Sequence, residues 1–266
     1  MKIGLLHPGD MGASVGYSLT LSGNGVYWAS EGRSLSTYDR ANRAGLTDRK
    51  NLNELLHDVE MLVSVCPPLA SEAMAGEILN SGFEGIYLDA NAISPKKSQR
   101  ISDLYAGTPI DYVDGGIVGT PAWHSGTTRL YLSGEHAEKV ASVFSGGTLD
   151  PRVISNRIGS ASAMKMCFAA YTKGSTSLIA EILATAKHFG VTGSLINEWG
   201  EETTDARIAN IQRIASRAWR WEAEMHEIGD TLEEAGIPDG AYRSAAELYA
   251  RMEEFRDVKE QPDWDR

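Results

Sequence analysis

One lysine lies in an apolar part of the chain. The segment Gly159–Gly174 reads GSASAMKMCFAAYTKG and places Lys165 among alanine, methionine and phenylalanine, with helical spacing that continues to about Gly190. A buried charged side chain is costly unless it is paired or reaches water. A lysine that is partly desolvated in a cleft suits proton transfer, because its pKa moves toward neutrality. Lys165 is therefore a candidate acid–base residue, and a lysine with a buried stem and a solvated head is the alternative.

A glycine turn near the amino terminus is the second candidate for chemistry. The strand-like segment Lys2–Leu6 is followed by HPGDMG, residues 7–12, and then by helical spacing over Ala13–Ser22. In such a strand–turn–helix unit, glycines allow a diphosphate to approach the backbone, and the amides at the helix start face its charge. His7 replaces the usual first glycine, so an ordinary turn is the other interpretation. The residues that we expect to contact a dinucleotide here are Gly9, Asp10, Met11 and Gly12.

The residues after the next strand indicate which dinucleotide would bind. The strand is expected at Val26–Ala29, and NAD-binding proteins usually place an acidic side chain about 20 residues after the glycine loop to hold the ribose 2′-hydroxyl. Ser30 stands at the likely strand end, and Arg33 with Ser34 suits a 2′-phosphate, whereas Glu31 favours NAD. We therefore predict that Ser30, Arg33 and Ser34 contact NADP. NAD stays possible, and a polar surface turn is the alternative.

Strand-like and helical segments alternate through the first half of the chain. The expected strands continue with Met61–Val65, Gly85–Leu88, Ile110–Val113 and Arg129–Leu132, the last closing the sheet, and the expected helices include Ser71–Asn80 and Glu135–Phe144. Repeated βα units of this length predict a doubly wound, mainly parallel sheet of the Rossmann type. Ligands of such sheets lie at the carboxyl ends of the strands. We therefore expect Cys66 and Pro67, which end one strand, to contact the cofactor.

From Gly159 the pattern becomes almost entirely helical. After the first helix, we expect helices over Ser194–Gly200, Thr204–Ala235 and Ala241–Phe255, and we expect the charged tail beyond them to fray. The predicted domains are residues 1–157, an α/β domain that binds the cofactor, and residues 158–266, an all-helical domain.

Charge and cysteine content argue against several classes of protein. The formal net charge of -11 disfavours binding to nucleic acid or to an anionic membrane surface. The two cysteines, Cys66 and Cys167, have no metal-ligand spacing, so we expect neither a metal site nor a disulfide framework. No apolar run approaches the ~20 residues that span a bilayer, and the chain starts on a strand without a signal-peptide pattern. We expect a cytoplasmic protein.

Four motifs, in order, resemble those of the β-hydroxyacid dehydrogenases, the family that includes 6-phosphogluconate and 3-hydroxyisobutyrate dehydrogenases. HPGDMG resembles the family's GLGxMG loop, and DANAISP (89–95) resembles D-x-S-T-x-x-P. DGGIVGT and GTTRLYLSG (114–120 and 126–134) resemble D-A-P-V-S-G-G and G-T-L-x-x-x-x-G-G, and GSASAMK (159–165) resembles G-x-G-x-x-x-K. The resemblance covers about residues 2–190. The segment 217–240 is similar to a C-terminal domain of poorly characterised relatives.

The resemblance implies an NADP-dependent dehydrogenase or reductase that moves hydride between the cofactor and a small hydroxy or carbonyl substrate. Lys165 stands at the position of the family's catalytic acid/base. Asn91 would contact the substrate or the nicotinamide amide, and Gly119 and Thr120 would lie at the substrate. The resemblance also implies a homodimer whose second domains bind substrate and complete each other's clefts.

Two further substrate candidates come from helix geometry. On a uniform helix, Thr172 returns to within roughly 20° of Lys165 and Lys173 lies about 80° away. Tyr171 falls off this polar stripe and is interpreted as packing, and Cys167 is interpreted as a core residue. His124 and His226 are interpreted as surface residues.

The chain departs from the family around the lysine. Phe168 and Ala169 occupy the positions of the family's asparagine, and Asn91 and Val118 replace two serines that bind the substrate carboxylate. These losses disfavour a simple short β-hydroxyacid as substrate. An imine reductase is one alternative, although Lys165 favours an oxygen substrate, and a nucleotide-binding sensor without turnover is the other.

Overall fold

The fold was analysed in a computed structural model, which describes residues 1–256 and residue 258. Two compact units make up the chain, Met1–Met166 and Cys167–Arg266. The sequence placed the domain boundary earlier, between residues 157 and 158. The difference arises because helix α7 (Ser160–Ala169) starts on the first unit: its Ala161 and Ser162 amides donate hydrogen bonds to Asp114 in the sheet. The charged tail that we expected to fray lies largely outside the described residues.

The first unit contains an eight-stranded sheet in the order β3-β2-β1-β4-β5-β6-β7-β8. The strands are β1 (Lys2–Leu6), β2 (Gly25–Trp28), β3 (Thr47–Asp48), β4 (Met61–Ser64), β5 (Gly85–Asp89), β6 (Ile110–Gly119), β7 (Thr128–Ser133) and β8 (Asp150–Ser155). Neighbouring strands are parallel except β6 and β7, which are antiparallel. The predicted mainly parallel sheet followed by a helical region is confirmed.

Helices cover both faces of this sheet. They are α1 (Asp10–Leu21), α2 (Leu35–Arg43), α3 (Leu52–Leu56), α4 (Ser71–Asn80), α5 (Pro95–Leu104) and α6 (Ala137–Val143). Because successive strand residues point to opposite faces, Leu5 and Val63 pack in the core that includes α1, α2 and α6. Leu62 and Tyr87 pack in the other core, with α3, α4 and α5. These two cores hold the strand ends, and so the loops that follow them, in place.

The antiparallel end of the sheet differs from the prediction. We expected Arg129–Leu132 to close the sheet, but β8 pairs beyond β7 and forms the edge. Pro151 concealed this strand, since proline lacks the N–H that a central strand needs and is tolerated at an edge. We also expected this strand to end at Val113, whereas β6 continues through the glycines to Gly119.

The second unit is helical. Its elements are a π-helical turn (Ala170–Gly174), α8 (Ser175–His188), α9 (Thr192–Trp199), α10 (Glu201–Ala218), a 3-10 turn (Trp219–Trp221), α11 (Glu222–Glu234), α12 (Gly240–Arg251) and a final 3-10 turn (Met252–Phe255). The helix predicted over Thr204–Ala235 is therefore two helices. The apolar spacing runs through the short turn at Trp219–Trp221 almost unchanged, which is why the break is invisible in the pattern. In the described part of the chain, no helix is long and apolar enough to cross a membrane.

Candidate functional site

The β1–α1 turn has the shape of a phosphate-binding loop. The Gly9 amide donates to the His7 carbonyl at 2.8 Å, and the Ala13 amide donates to the Gly9 carbonyl at 2.8 Å. A Cβ on Gly12 would lie 2.2 Å from the His7 carbonyl oxygen, so this position requires glycine. A Cβ on Gly9 would meet no atom within 4 Å, so that side of the turn is open. Together with the unpaired amides that begin any helix, the turn can accept a diphosphate.

The predicted adenosine side of the site is built from two loops. Ser34 caps α2 and accepts a hydrogen bond from the Thr37 amide at 3.3 Å, while Arg33 beside it is exposed. Ser30 is engaged elsewhere, because its hydroxyl donates to Asp48 Oδ2 at 2.8 Å and its amide donates to Asp48 Oδ1 at 3.2 Å. The structure thus brings an acidic side chain to this edge from β3, and the sequence analysis did not single it out. The signal was weak, since β3 is only two residues long.

Arg40 joins this loop to the glycine turn. Its guanidinium donates to the Pro8 carbonyl at 3.3 Å and to Thr37 Oγ1 at 3.1 Å, and it lies 3.6 Å from Asp10. Asp10, one of the predicted cofactor contacts, therefore anchors α2 to the turn. This contact fixes the spacing between the two loops, which a dinucleotide would bridge.

Asn91 holds the ends of β4 and β5 together. It is buried, its Oδ1 accepts from the Cys66 amide at 2.6 Å, and its Nδ2 donates to Ser64 Oγ at 3.1 Å. Burial raises the pKa of the Cys66 thiol to about 11, so this cysteine is not a nucleophile at neutral pH. Pro67 is exposed at the end of the loop. The structure therefore shows Asn91 as the support of the Cys66–Pro67 loop, with most of its amide already hydrogen-bonded.

Asp114 anchors the helix that carries Lys165. This carboxylate is fully buried in β6, and its Oδ2 accepts from the amides of Ala161 (3.0 Å) and Ser162 (3.1 Å) at the start of α7. Ser133 donates to Oδ2 at 2.8 Å, and Ser98 and Ser162 donate to Oδ1 at 3.0 and 2.5 Å. A carboxylate at a helix start satisfies the first amides and interacts favourably with the helix dipole. Asp114 therefore fixes where α7 begins.

Gly116 lets α7 approach the sheet closely. A Cβ on Gly116 would lie 2.6 Å from the Ala161 carbonyl oxygen and 2.9 Å from Lys165 Cβ. Lys165 itself is half-buried. Gly116 is thus explained by helix packing, and it lets the stem of Lys165 lie against β6.

The remaining substrate candidates on β6 lie at its end. Gly119 has φ 129°, and a Cβ there would lie 2.2 Å from the Thr127 carbonyl oxygen. Thr120 accepts a hydrogen bond from Thr128 through its carbonyl, and both Gly119 and Thr120 are exposed. Their backbone forms the tight connection to β7.

Thr172 and Lys173 belong to the second unit. They lie in the π-helical turn, so the angular count that assumed a uniform α-helix does not apply to them. Thr172 Oγ1 donates to the Phe168 carbonyl at 3.0 Å. Lys173 Nζ forms an ion pair with the buried carboxylate of Glu224 and lies 4.8 Å from the centre of the Trp221 ring. Lys173 therefore has a packing role within this unit.

Two interpretations of side chains on the long helical segment were wrong. Cys167 is exposed and is not a core residue. Tyr171 is 77% exposed, so it does not pack within this chain. Both errors have the same cause, because the interpretation assumed that a mostly apolar helix is buried on all sides. His124 and His226 are exposed, as interpreted, and the described residues contain no cluster of three or more potential metal ligands.

A domain family and one curated protein match the chain in sequence. Residues 186–252 match the family described as "Domain of unknown function (DUF1932)". An uncharacterised 28.5 kDa protein of Methanothermus fervidus is 26% identical over 181 residues, which are 68% of this chain and 69% of that protein.

Several solved structures share the fold over nearly the whole chain. The conserved protein MTH1747, described as of unknown function and structurally similar to 3-hydroxyacid dehydrogenases, is 26% identical, with a TM-score of 0.70 over 96% of this chain and 98% of that one. A 3-hydroxyisobutyrate dehydrogenase of Salmonella typhimurium is 14% identical, with a TM-score of 0.72 over 94% and 93%. An imine reductase of Myxococcus stipitatus in complex with NADP+ is 17% identical, with a TM-score of 0.61 over 96% and 93%. The resemblance predicted from the four motifs is thus confirmed for the architecture: this chain has the fold of the 3-hydroxyacid dehydrogenases, with a C-terminal region that matches DUF1932.

Proposed function

We propose that the protein is an NADP(H)-dependent oxidoreductase that acts on a small hydroxy or carbonyl compound. The observation that carries this proposal is the presence, on one sheet, of an open glycine turn and of a lysine whose helix is fixed by a buried aspartate. The solved dehydrogenase and imine reductase structures support it through their shared fold.

The residues of the β1–α1 turn fit a dinucleotide. Gly12 keeps the turn tight, Gly9 leaves its outer side open, and the start of α1 offers amides to a diphosphate. The nicotinamide ring supplies or accepts the hydride when the cofactor is bound. Asn91 holds the Cys66–Pro67 loop at the neighbouring strand ends, where parallel sheets place their ligands.

Lys165 would manage the proton that accompanies the hydride. Its Nζ would donate a proton to the carbonyl oxygen in reduction and take one from the hydroxyl in oxidation. Asp114 and Gly116 position it, because they fix the start of α7 and its distance from β6. Neither touches the substrate in this scheme, so both are positioning residues.

The choice of NADP rests on the loop after β2. Arg33 and the capped start of α2 offer positive charge and hydroxyl donors to a 2′-phosphate. Asp48 is the opposing feature, since a carboxylate near the ribose favours NAD. Its oxygens already accept from Ser30 and from the Lys50 amide at 2.7 Å, so it supports the loop in the proposed arrangement.

The cofactor proposal is tested by the Arg33→Ala variant. We expect its affinity for NADPH to fall about tenfold or more, the scale of a charged hydrogen bond, with NADH affinity unchanged. Arg152→Ala is the matched control, because Arg152 is an exposed arginine on β8 at the opposite edge of the sheet. Equal effects of Arg33→Ala on NADPH and NADH would refute the 2′-phosphate role.

Imine reduction is the second candidate. The observation in its favour is that Phe168 and Ala169 offer no amide beside Lys165, so the hydrogen bond that the family's asparagine gives a hydroxyl substrate is missing. An assay panel of short hydroxy acids, aldehydes, ketones and cyclic imines separates the two. Turnover of imines alone would favour this candidate, and nucleotide binding without turnover of any class would favour a sensor.

We also propose that the protein is a homodimer. Large apolar side chains are exposed along the helical segment from α7 to α8, namely Phe168 (37%), Tyr171 (77%), Leu178 (56%), Ile182 (36%) and Phe189 (71%). On α8 and its C-cap, Leu178, Ile182 and Phe189 follow one another at four and seven residues, which is the spacing of one helix face. An exposed apolar strip of this kind marks a protein interface, and a second copy of the chain presents the same strip.

A further inference from the structure

The loop after β6 is hydrogen-bonded to helix α1. This loop spans residues 120–127 and begins at the carboxyl end of β6, the sheet edge where parallel sheets place their ligands. Its Ala122 is fully buried, and the Ala122 amide donates to Ser14 Oγ at 2.8 Å. Trp123 packs on Tyr17 of α1, with 5.3 Å between the ring centres. The helix that follows the glycine turn therefore holds the middle of the loop.

Ser14 makes this contact with a hydroxyl that is bonded on two sides. The side chain is fully buried, and its Oγ donates to the Met11 carbonyl at 2.7 Å while it accepts from the Ala122 amide. A hydroxyl has one proton, so when it donates that proton to Met11 it presents lone pairs to Ala122. Hydrogen bonds in such a chain strengthen one another. The Met11 carbonyl and the Ala122 amide are thus joined through a single oxygen atom.

Met11 lies in the first turn of α1, where the proposed nucleotide binds. The amides of a first helical turn have no acceptor inside the helix, and they suit a diphosphate. A ligand that binds the closed turn, and does not bind the open one, disfavours opening by the ratio of its concentration to its Kd. A segment that can open only together with this turn is stabilised to the same extent. The bond through Ser14 makes Ala122 part of such a segment.

A second serine on α1 allows a direct comparison. Ser18 lies about one turn after Ser14, it is also fully buried, and its Oγ accepts from the Leu149 amide at 2.9 Å. It holds another loop, residues 144–149, to the same helix by the same kind of bond. This bond is farther from the glycine turn, so a nucleotide there has less effect on it.

We propose that Ser14 is a positioning residue that couples nucleotide binding at the glycine turn to the loop after β6. This inference rests on the proposed function, which places a dinucleotide at that turn. Ser14 does not touch the nucleotide and acts through Ala122, whose amide it joins to Met11. When the nucleotide is bound, the loop at the ligand edge of the sheet opens less often.

Amide hydrogen exchange of the wild-type protein, with and without NADPH, tests the coupling. With NADPH at 100 times its Kd, complete coupling slows exchange about 100-fold, and we expect residues 120–127 to slow about tenfold or more. Residues 144–149 should slow by less than about threefold. Equal slowing of the two loops would indicate general stabilisation of the fold and would overturn the inference. Unchanged exchange at residues 120–127 would overturn it as well.

Two variants separate coupling from the loss of any buried hydrogen bond. Ser14→Ala removes the connecting oxygen, so residues 120–127 should exchange faster and should lose their response to saturating NADPH. Ser18→Ala leaves a buried amide unsatisfied on the same helix. It should speed exchange at residues 144–149 and keep the response to NADPH at residues 120–127.

The outcomes distinguish this inference from the proposed function. If Ser14→Ala kept the response, or if both variants lost it, the inference would be overturned while the proposed function stood. If Ser14→Ala did not fold, the comparison of the two loops in the wild-type protein would decide the question by itself. A wild-type protein that binds neither NADPH nor NADH overturns the proposed function and this inference together.

Discussion

Asp89 is a buried carboxylate at the end of β5. Its Oδ1 accepts from the Asn91 amide at 3.0 Å, while its Oδ2 has no hydrogen-bond partner in the described part of the chain. Burial, with the neighbouring charge of Asp114, raises the pKa of Asp89 from its usual 3.8 to about 7. The folded protein therefore holds a proton that the unfolded chain releases at lower pH.

This proton makes stability depend on pH. Between the unfolded pKa of 3.8 and the folded pKa of about 7, raising the pH favours the unfolded chain by about 1.4 kcal/mol per pH unit from this group. Asp89→Asn removes the contribution. We expect the variant to be more stable than wild type in urea unfolding at pH 8 and similar to it at pH 4.

A control isolates the effect of Asp89 from other titrating groups. Glu84 is exposed and precedes the same strand, so Glu84→Gln should follow the wild-type pH dependence. If the difference in unfolding free energy between Asp89→Asn and wild type were constant from pH 4 to pH 8, the raised pKa would be contradicted.

At the residue scale, the sequence predicted positions better than roles. Gly9 and Gly12 were identified because a tight turn needs residues without a β-carbon, and the structure shows that need at Gly12. Asn91 was expected to face a ligand, but its amide is used to join Ser64 and Cys66. Asp48 was missed because its importance depends on pairing between β2 and β3. Roles that depend on a spatial partner cannot be inferred from spacing along the chain.

At the scale of elements, the start of α7 is held to the sheet by several buried contacts. Asp114 receives the first amides of this helix, and Gly116 permits its close packing on β6. Lys165 stands less than two turns after these amides. The position of Lys165 on α7 therefore depends on the carboxylate of Asp114, which lies on strand β6.

Asp114→Asn tests this dependence. The asparagine amide would place a donor among the donors of Ala161, Ser162 and Ser133, so buried groups would be left unsatisfied. We expect a loss of about 2–4 kcal/mol in the free energy of unfolding. Urea titration followed by circular dichroism measures it.

The matched control is Asp111→Asn on the same strand. Asp111 is partly exposed and lies 3.4 Å from His136 in a surface pair, so we expect a change within about 1 kcal/mol. Equal losses in the two variants would show that Asp114 has no special part in holding α7.

Elements were predictable where their patterns were long and strongly apolar. The strands β1, β4 and β5 and the helix from Ser160 onward follow such patterns. Polar α2 buries only Ala41, so it lacks the periodicity that marks a helix. The π-helical turn at Ala170–Gly174 and the 3-10 turn at Trp219–Trp221 shift the register within apolar segments, and side-chain spacing does not record such shifts.

At the scale of the whole molecule, the exposed apolar strip of α7 and α8 leads to a prediction about assembly. We expect the protein to elute with about twice its chain mass of 28.8 kDa. Replacing Leu178 and Ile182 with glutamate should give monomers, because charges would be buried in the interface. Size-exclusion chromatography with light scattering measures the mass.

Ala184→Glu provides the control for charge on the same helix. Ala184 is exposed, and at about 100° per residue it points away from Ile182 and Leu178, so this variant should stay dimeric. A wild-type monomer, or a dimer that survives the double substitution, would contradict the proposed interface.

The central proposal is that Lys165 is the acid/base of an NADP(H)-dependent reaction. The direct measurement is the turnover of NADPH or NADP+ with the substrate panel by wild type, Lys165→Ala and Lys165→Arg. We predict that wild type turns over at least one substrate class. Both variants should lose about 100-fold or more in kcat, since general acid–base catalysis contributes on this scale, with nucleotide affinity retained. If Lys165→Ala turned over substrate at the wild-type rate, the acid/base role of Lys165 would be contradicted. If the wild-type protein turned over no substrate class, the proposed oxidoreductase activity would be contradicted.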